Sequence, residues 1–388
     1  MKQRVDRLWV LLLLAAMLLS LTKAIVRPKD VNYYENRPAA ALPAFTVSGL
    51  LAGEDQDALE QALSDQTTGA QGLEQRYHRW TTAIQKWGLR AFMSQLQGRY
   101  VAFQGMQLFD DYIVYSPIWP ETEQPALAKK AENYNAVIAA HPELDFYAYF
   151  IEKDTELYLE SDYSTGTSDY LLDRLDIPAE RKAAFEVRSA AEYQRLFFRT
   201  DHHWNFEGAD RAYRQLMPLL GKTASLQAEG PERIAGGMSG SKALLSAAEG
   251  MFTEDFYAYR YAFPPMEITI NGEPAADFGA QNAAFADGEI SYSAFYGGDD
   301  GEICFHTENP GAGSLLVIGE SFDNALLKLL ASEYENLYSI DLRNYETDLG
   351  HPFDLASYTA EHDIDSVLLI GNLDYWKLEE FLPGGGAA

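Results

Sequence analysis

Near its end, the chain commits itself to an alternation that few folds can accommodate. SLLVI (Ser314–Ile318) runs into Gly319-Glu320-Ser321, and Phe322, Ala325, Leu326, Leu329 and Leu330 then follow at helical spacing. Asn336–Ile340 reads as a second strand, Phe353–His362 as a helix, and SVLLI (Ser366–Ile370) as a third strand. Short apolar strands separated by helices cannot be hairpin partners. They imply a parallel sheet covered on both faces, hence an α/β protein in three layers. Such sheets carry their sites at the carboxyl ends of the strands.

Earlier segments extend this reading. Leu144–Ile151 (LDFYAYFI) is a buried strand, preceded by a helix over Ala126–Ala140. Tyr100–Tyr115 alternates like short strands, with a turn at Gly105. Asn205 is placed to cap a helix along whose face Phe206, Ala209, Tyr213, Leu216 and Leu220 recur, with Gly221 at its end. Residues 222–250 are a long excursion. From Phe252 to Phe305, FYAYRYAF, MEITING, EISYSAFY and EICFHT read as strands between turns, and Asn271-Gly272 is a hairpin signal.

The N-terminus has Lys2, Arg4 and Arg7 before an uncharged run from Leu8 to Thr22. That is a signal peptide or membrane anchor, short of the ~20 residues a spanning helix needs. The expected layout is leader 1–26, extended linker 27–50, and one α/β domain 51–382. That domain carries a strand-rich insertion at about 222–306, and 383–388 form a flexible tail. Within it, Glu54–Gln97 has a helical pattern. The protein is expected outside the cytoplasmic membrane of a bacterial cell, anchored or secreted.

Lys+Arg 30 against Asp+Glu 58 leaves a formal charge of −28. A surface of that sign repels nucleic acid and anionic headgroups, and no basic run offsets it. The blander role of the acidity is solubility. The one cysteine, Cys304, excludes an intrachain disulfide and a cysteine zinc site, and its apolar neighbours suit a buried thiol.

Two segments could carry chemistry. Ser321 lies beyond a strand end at a helix start, where unpaired N–H groups can stabilise an oxyanion. The alternative is that Ser321 only caps the helix. The other segment is RTDHHWNF (199–206), which holds two of seven histidines. In an extended stretch Asp201 and His203 share a side and His202 faces away. This offers a base with an orienting carboxylate, the partner a serine nucleophile needs. A purely structural role for these side chains stands beside that reading. A metal is not expected, because adjacent histidines diverge and there is no HExxH spacing, although Asp201, His203 and Glu207 could contribute to a site completed from afar.

The block FFRTDHHWNFEGADRAYRQL resembles the signature of the DHHW proteins, which are similar to the SGNH-hydrolase-like alginate O-acetyltransferase proteins of bacteria. NYYENRPAAALPAF, VIGESFDNALLKLL, LYSIDLRNY and DSVLLIGN support the resemblance over about 32–380. It implies an SGNH-like, flavodoxin-like fold with a parallel central sheet, a Ser321 nucleophile, a His203 base and an orienting Asp201. Asn372 would sit at the oxyanion or substrate site, with a plain turn residue as the alternative; Arg343 and Tyr345 match a family segment, with a loop-holding ion pair and a packed ring as the favoured alternative. His202 and Trp204 are further candidates at the substrate side whose roles stay open, Trp204 being expected to pack behind the histidine ring. The implied activity is O-acetyl transfer to a cell-surface or secreted polysaccharide through an acetyl-serine. No cofactor is implied, and a membrane-bound O-acyltransferase would be the acetyl source. An acetylesterase on the same residues and a non-catalytic polysaccharide-binding protein are the alternatives. One departure stands out: the chain has Gly-Glu-Ser where the family block is Gly-Asp-Ser.

Overall fold

The computed structural model describes residues 100–377 except 104, 249 and 251, with scattered positions before residue 100. Nearly all of the leader 1–26, most of the linker 27–50 and of the stretch 54–97, and the tail 383–388 lie outside the described residues. No helix among the described residues is long and apolar enough to cross a membrane. The chain divides into two compact units, Met1–Met93 with Leu244–Met251, and Ser94–Ala243 with Phe252–Ala388. In the first, the Lys29 N–H donates to Gln66 Oε1 at 2.6 Å and the Ala40 N–H to Asp65 Oδ2 at 2.8 Å.

The second unit carries the α/β core. After α1 (Pro120–Ala140) come β1 (Asp145–Ile151), β2 (Lys182–Phe185) and α2 (Phe206–Leu219). The long middle segment supplies β3 (Glu229–Met238), β4 (Glu254–Arg260), β5 (Met266–Ile270), β6 (Glu273–Ala275), α3 (Tyr292–Tyr296) and β7 (Glu302–Thr307). The alternating end of the chain forms β8 (Ser314–Ile318), α4 (Asn324–Ala331), β9 (Asn336–Ile340), α5 (Leu355–Glu361), β10 (Ser366–Asn372) and α6 (Leu373–Lys377).

Eight strands form one sheet in the order β6-β5-β7-β9-β8-β10-β1-β2. From β9 to β2 every pairing is parallel. From β6 to β9 every pairing is antiparallel. The sheet is therefore mixed, not wholly parallel as expected. One of these antiparallel pairings has a local cause: Asn271 (φ 50°) and Gly272 (φ 79°) make the two-residue turn between β5 and β6, which can join only antiparallel neighbours. Part of the expected insertion thus extends the main sheet, while β3 and β4 pair as a separate antiparallel ribbon.

Side-chain alternation sorts the parallel strands between two cores. Tyr149, Ile151, Leu315, Val317, Leu368 and Ile370 face α2 and α4. Phe146, Ala148, Phe150, Leu316, Ile318, Val367 and Leu369 face α1, α5 and α6. Burial on both faces is why these strands read as unbroken apolar runs. Ile318 is level with Ile340 and Leu369, so the segments after β8, β9 and β10 leave the sheet at one edge.

Candidate active site

The aspartate–histidine segment is pinned on both flanks. Phe197 and Trp204 form an isolated bridge, and the Asn205 side chain accepts from the Glu207 and Gly208 N–H groups to cap α2. Glu254 Oε1 accepts from the Thr200 N–H at 2.8 Å and hydroxyl at 2.7 Å. Between these anchors residues 199–203 bend rather than extend. Asp201 Oδ1 accepts from the His203 backbone N–H at 3.0 Å and faces His203 Nδ1 at 2.7 Å. Asp201 Oδ2 accepts from the Ser241 N–H at 2.7 Å. Gly240 lies so close that a Cβ there would stand 2.4 Å from Asp201 Cβ.

Ser321 arrives from the other side. The Gly319 N–H donates to Ile340 O as β8 ends, and residues 321–323 form a turn. The helix α4 begins at Asn324, three residues later than the sequence spacing predicts, because the Asp323 N–H first closes on Glu320 O at 2.9 Å. Ser321 Oγ lies 2.8 Å from His203 Nε2. His203 therefore bridges a carboxylate and a hydroxyl through its two ring nitrogens. Asp201 and His203 are 5% and 6% exposed, so bulk water does not compete for either bond. Burial opposes the Asp201 charge, but attraction to the His203 ring, its hydrogen bond and the Ser241 N–H hold this carboxyl well below the usual carboxylate range.

The expected roles of the flanking residues divide. The His202 ring does not turn away. It lies 3.9 Å from that of His203, and its Nδ1 meets Ser241 Oγ at 2.5 Å, because the segment bends. Burial and the neighbouring His203 push its pKa well below the ordinary histidine value. Trp204 packs on Phe185 and Phe322. The ring stacked on His203 is instead Tyr292, at 3.7 Å and 1°. Tyr292 belongs to EISYSAFY, expected as a strand. The segment forms α3, because the Ser291 hydroxyl caps the Ala294 N–H. That serine before an apolar run was the signal available in the sequence.

Asn372 stands at the same sheet edge, but its Nδ2 and its backbone N–H both donate to Glu320 Oε1, at 3.0 and 3.3 Å. Arg343 pairs with Asp341 at 2.5 Å and Asp299 at 3.1 Å, which fastens the loop after β9. Tyr345 is buried against Phe353 and His351. Asp201, His202 and His203 have ligand-type atoms within 4.8 Å of one another. His203 Nδ1 is bonded to Asp201 and His202 Nδ1 to Ser241, so an ion held there would break both bonds. Burial raises the Cys304 thiol to about 12, in keeping with a structural role.

Fold and site together define a class: α/β proteins that present a serine hydroxyl at the carboxyl edge of the sheet to a histidine oriented by an aspartate. Within that class the family is specific. The model of the DHHW proteins matches residues 127–340, more than half of the chain, and the protein belongs to that family. The fold is similar to that of Bacillus cereus PatB1, solved with a sulfonyl adduct, at 19% identity and TM-score 0.52. That match covers 72% of this chain and 97% of PatB1. A DHHW family protein from Eubacterium siraeum matches at 16% identity and TM-score 0.55, over 72% of this chain and 95% of that one. The O-acetyltransferase domain of Pseudomonas putida AlgJ matches at 11% identity and a TM-score of only 0.37, over 72% and 92% of the two chains. At these identities the likeness to PatB1 and to the Eubacterium siraeum protein is one of fold. No curated protein sequence matches.

Proposed function

We propose that this protein is an extracytoplasmic O-acetyltransferase that modifies a cell-surface or secreted polysaccharide, with Ser321 as nucleophile, His203 as base and Asp201 as orienting carboxylate. One observation carries the reading: a single buried imidazole lies 2.8 Å from a serine hydroxyl and 2.7 Å from a carboxylate. His203 Nε2 takes the Ser321 proton as Oγ bonds to the donor's acetyl carbon. The resulting imidazolium is stabilised by Asp201 and returns that proton to the departing oxygen. Backbone N–H groups of the turn at Ser321 take the developing oxyanion. A sugar hydroxyl then gives its proton to His203 and attacks the acetyl-serine, and Ser321 leaves with that proton. An acetyl ester is required as donor. Outside the cell it would be supplied through a membrane-bound O-acyltransferase partner, a step that rests on family analogy.

The test is intact-protein mass after brief incubation with a chromogenic acetyl ester. Wild type should gain one acetyl group and Ser321→Ala none. Candidate oligosaccharides should then discharge the adduct with acetyl appearing on the sugar. Discharge only to water would make the protein an esterase. No adduct and no colour release in wild type would sink the reading.

A further inference from the structure

We propose that Glu320 works as a neutral acid: its Oε2–H donates to Ser321 Oγ while Oε1 accepts from Asn372, which leaves the serine proton to His203. The inference rests on the reading of Ser321 and His203 given above, and deepens it. Ser321 Oγ lies within hydrogen-bond distance of two groups, His203 Nε2 at 2.8 Å and Glu320 Oε2 at 3.1 Å. A hydroxyl has one proton to give. An ionised Glu320 would compete with His203 for it and would set a negative charge beside the forming alkoxide. A protonated Glu320 removes both problems, since it donates to an Oγ lone pair.

The surroundings favour the neutral form. Glu320 is 7% exposed, and its hydrogen-bond partners, Asn372 and Ser321, are all uncharged. Among the described residues no cation is in ion-pair contact with it. The nearby cations have their own anions: Arg343 pairs with Asp341 and Asp299, and Lys153 with Asp374 at 2.8 Å. A buried carboxylate without a paired cation is costly, so the group keeps its proton. The charged groups that face Glu320 work in both directions. Arg343, His203 and Lys153 favour ionisation, while Asp299 and Asp323 oppose it. Burial is the largest influence and raises its pKa. The Glu320 side chain spans both partners, with Oε2 at 3.1 Å from Ser321 Oγ and Oε1 at 3.0 Å from Asn372 Nδ2.

The experiment is the pH profile of acetyl-Ser321 formation in wild type, Glu320→Gln and Asp323→Asn. Glutamine mimics a protonated glutamate: its NH2 group can donate to Oγ and its carbonyl oxygen can accept from Asn372. Wild type should lose rate on the alkaline side as Glu320 ionises. Glu320→Gln should stay within about tenfold of the wild-type maximum and lack that alkaline fall, against the 10²–10⁴-fold typical of a lost acid–base group. Asp323→Asn should keep the fall, which separates Glu320 from its buried neighbour. An alkaline fall that persists in Glu320→Gln, its absence in wild type, or a loss of 100-fold or more in folded Glu320→Gln overturns the proposal. If Glu320→Gln does not fold, Glu320→Asp takes its place: its carboxyl is drawn back from Oγ, and a preserved fall overturns the proposal equally. Absence of any acetyl on wild-type Ser321 refutes the functional reading itself, whereas an adduct with the wrong pH profile refutes only this inference.

Discussion

Gly240→Ala introduces one methyl group and should disable the site while sparing the fold. A Cβ at 240 would stand 2.4 Å from Asp201 Cβ and 2.7 Å from both Asp201 Cα and Asp201 N. Ordinary carbon contacts are ~3.5–4.0 Å, so the two segments must part by about 1 Å or more. The methyl meets backbone, which cannot swing aside as the end of a long side chain can. Hydrogen bonds hold the segments together, among them those from the Gly240 N–H to Thr200 Oγ1 at 3.0 Å, from the Ser241 N–H to Asp201 Oδ2 at 2.7 Å and from the Ala243 N–H to Thr200 O at 3.0 Å. Parting them carries Asp201 away from His203 Nδ1. A displacement of about 1 Å in a catalytic group costs on the order of 10²-fold, or about 2.7 kcal/mol of barrier. Overpacking should also remove about 1–3 kcal/mol of stability. The assay is the single-turnover rate of acetyl-Ser321 formation for wild type and Gly240→Ala, with a denaturant melt of each. The expected result is a cooperatively folded variant slowed about 100-fold at saturating ester. A folded variant within threefold of wild type would refute the reasoning, because Asp201 would then not need the position that Gly240 permits.

Two further outcomes concern stability. Lys242 and Asp154 are fully buried and paired at 2.5 Å, with Tyr193 and the Tyr115 N–H on the same carboxylate oxygen. Lys242→Met should therefore cost about 3–5 kcal/mol in denaturant melts, and Lys242→Met with Asp154→Asn, which removes the stranded charge and keeps an acceptor for both donors, should recover much of it; a single variant as stable as wild type would disprove the pairing. His202 has a folded pKa well below its unfolded value of about 6.5, so below that pH the unfolded chain binds a proton that the native site refuses. Acidification from neutral pH should then destabilise wild type relative to His202→Asn, by at most about 1.4 kcal/mol per pH unit. The comparison must be with the variant, because Glu156, raised to about 8 by burial, shifts stability in the opposite sense over the same range. Equal pH dependence in the two proteins would remove His202 as the cause.

The order of elements was legible because it depends on local rules. Leu315 to Ile318 and Val367 to Ile370 announce strands covered on both faces, and both are. Asn205 announces a helix start, and its side chain caps α2. Asn271-Gly272 announces a hairpin, and β5 and β6 pair across it. Candidate chemistry was legible too, as a serine beyond a strand and an aspartate two residues before a histidine. What the sequence could not determine was adjacency. Ser321 and His203 meet only because β8 lies inside the sheet, with its carboxyl end turned toward the bent 199–203 segment. Tyr292 reaches His203 only because Ser291 caps a short helix where alternation suggested a strand. The Glu320 contact to Asn372 depends on the parallel pairing of β8 with β10. Periodicity and capping act over a few residues and leave their mark in the chain. Contacts between segments far apart depend on register and packing, and these are settled only when the whole sheet closes.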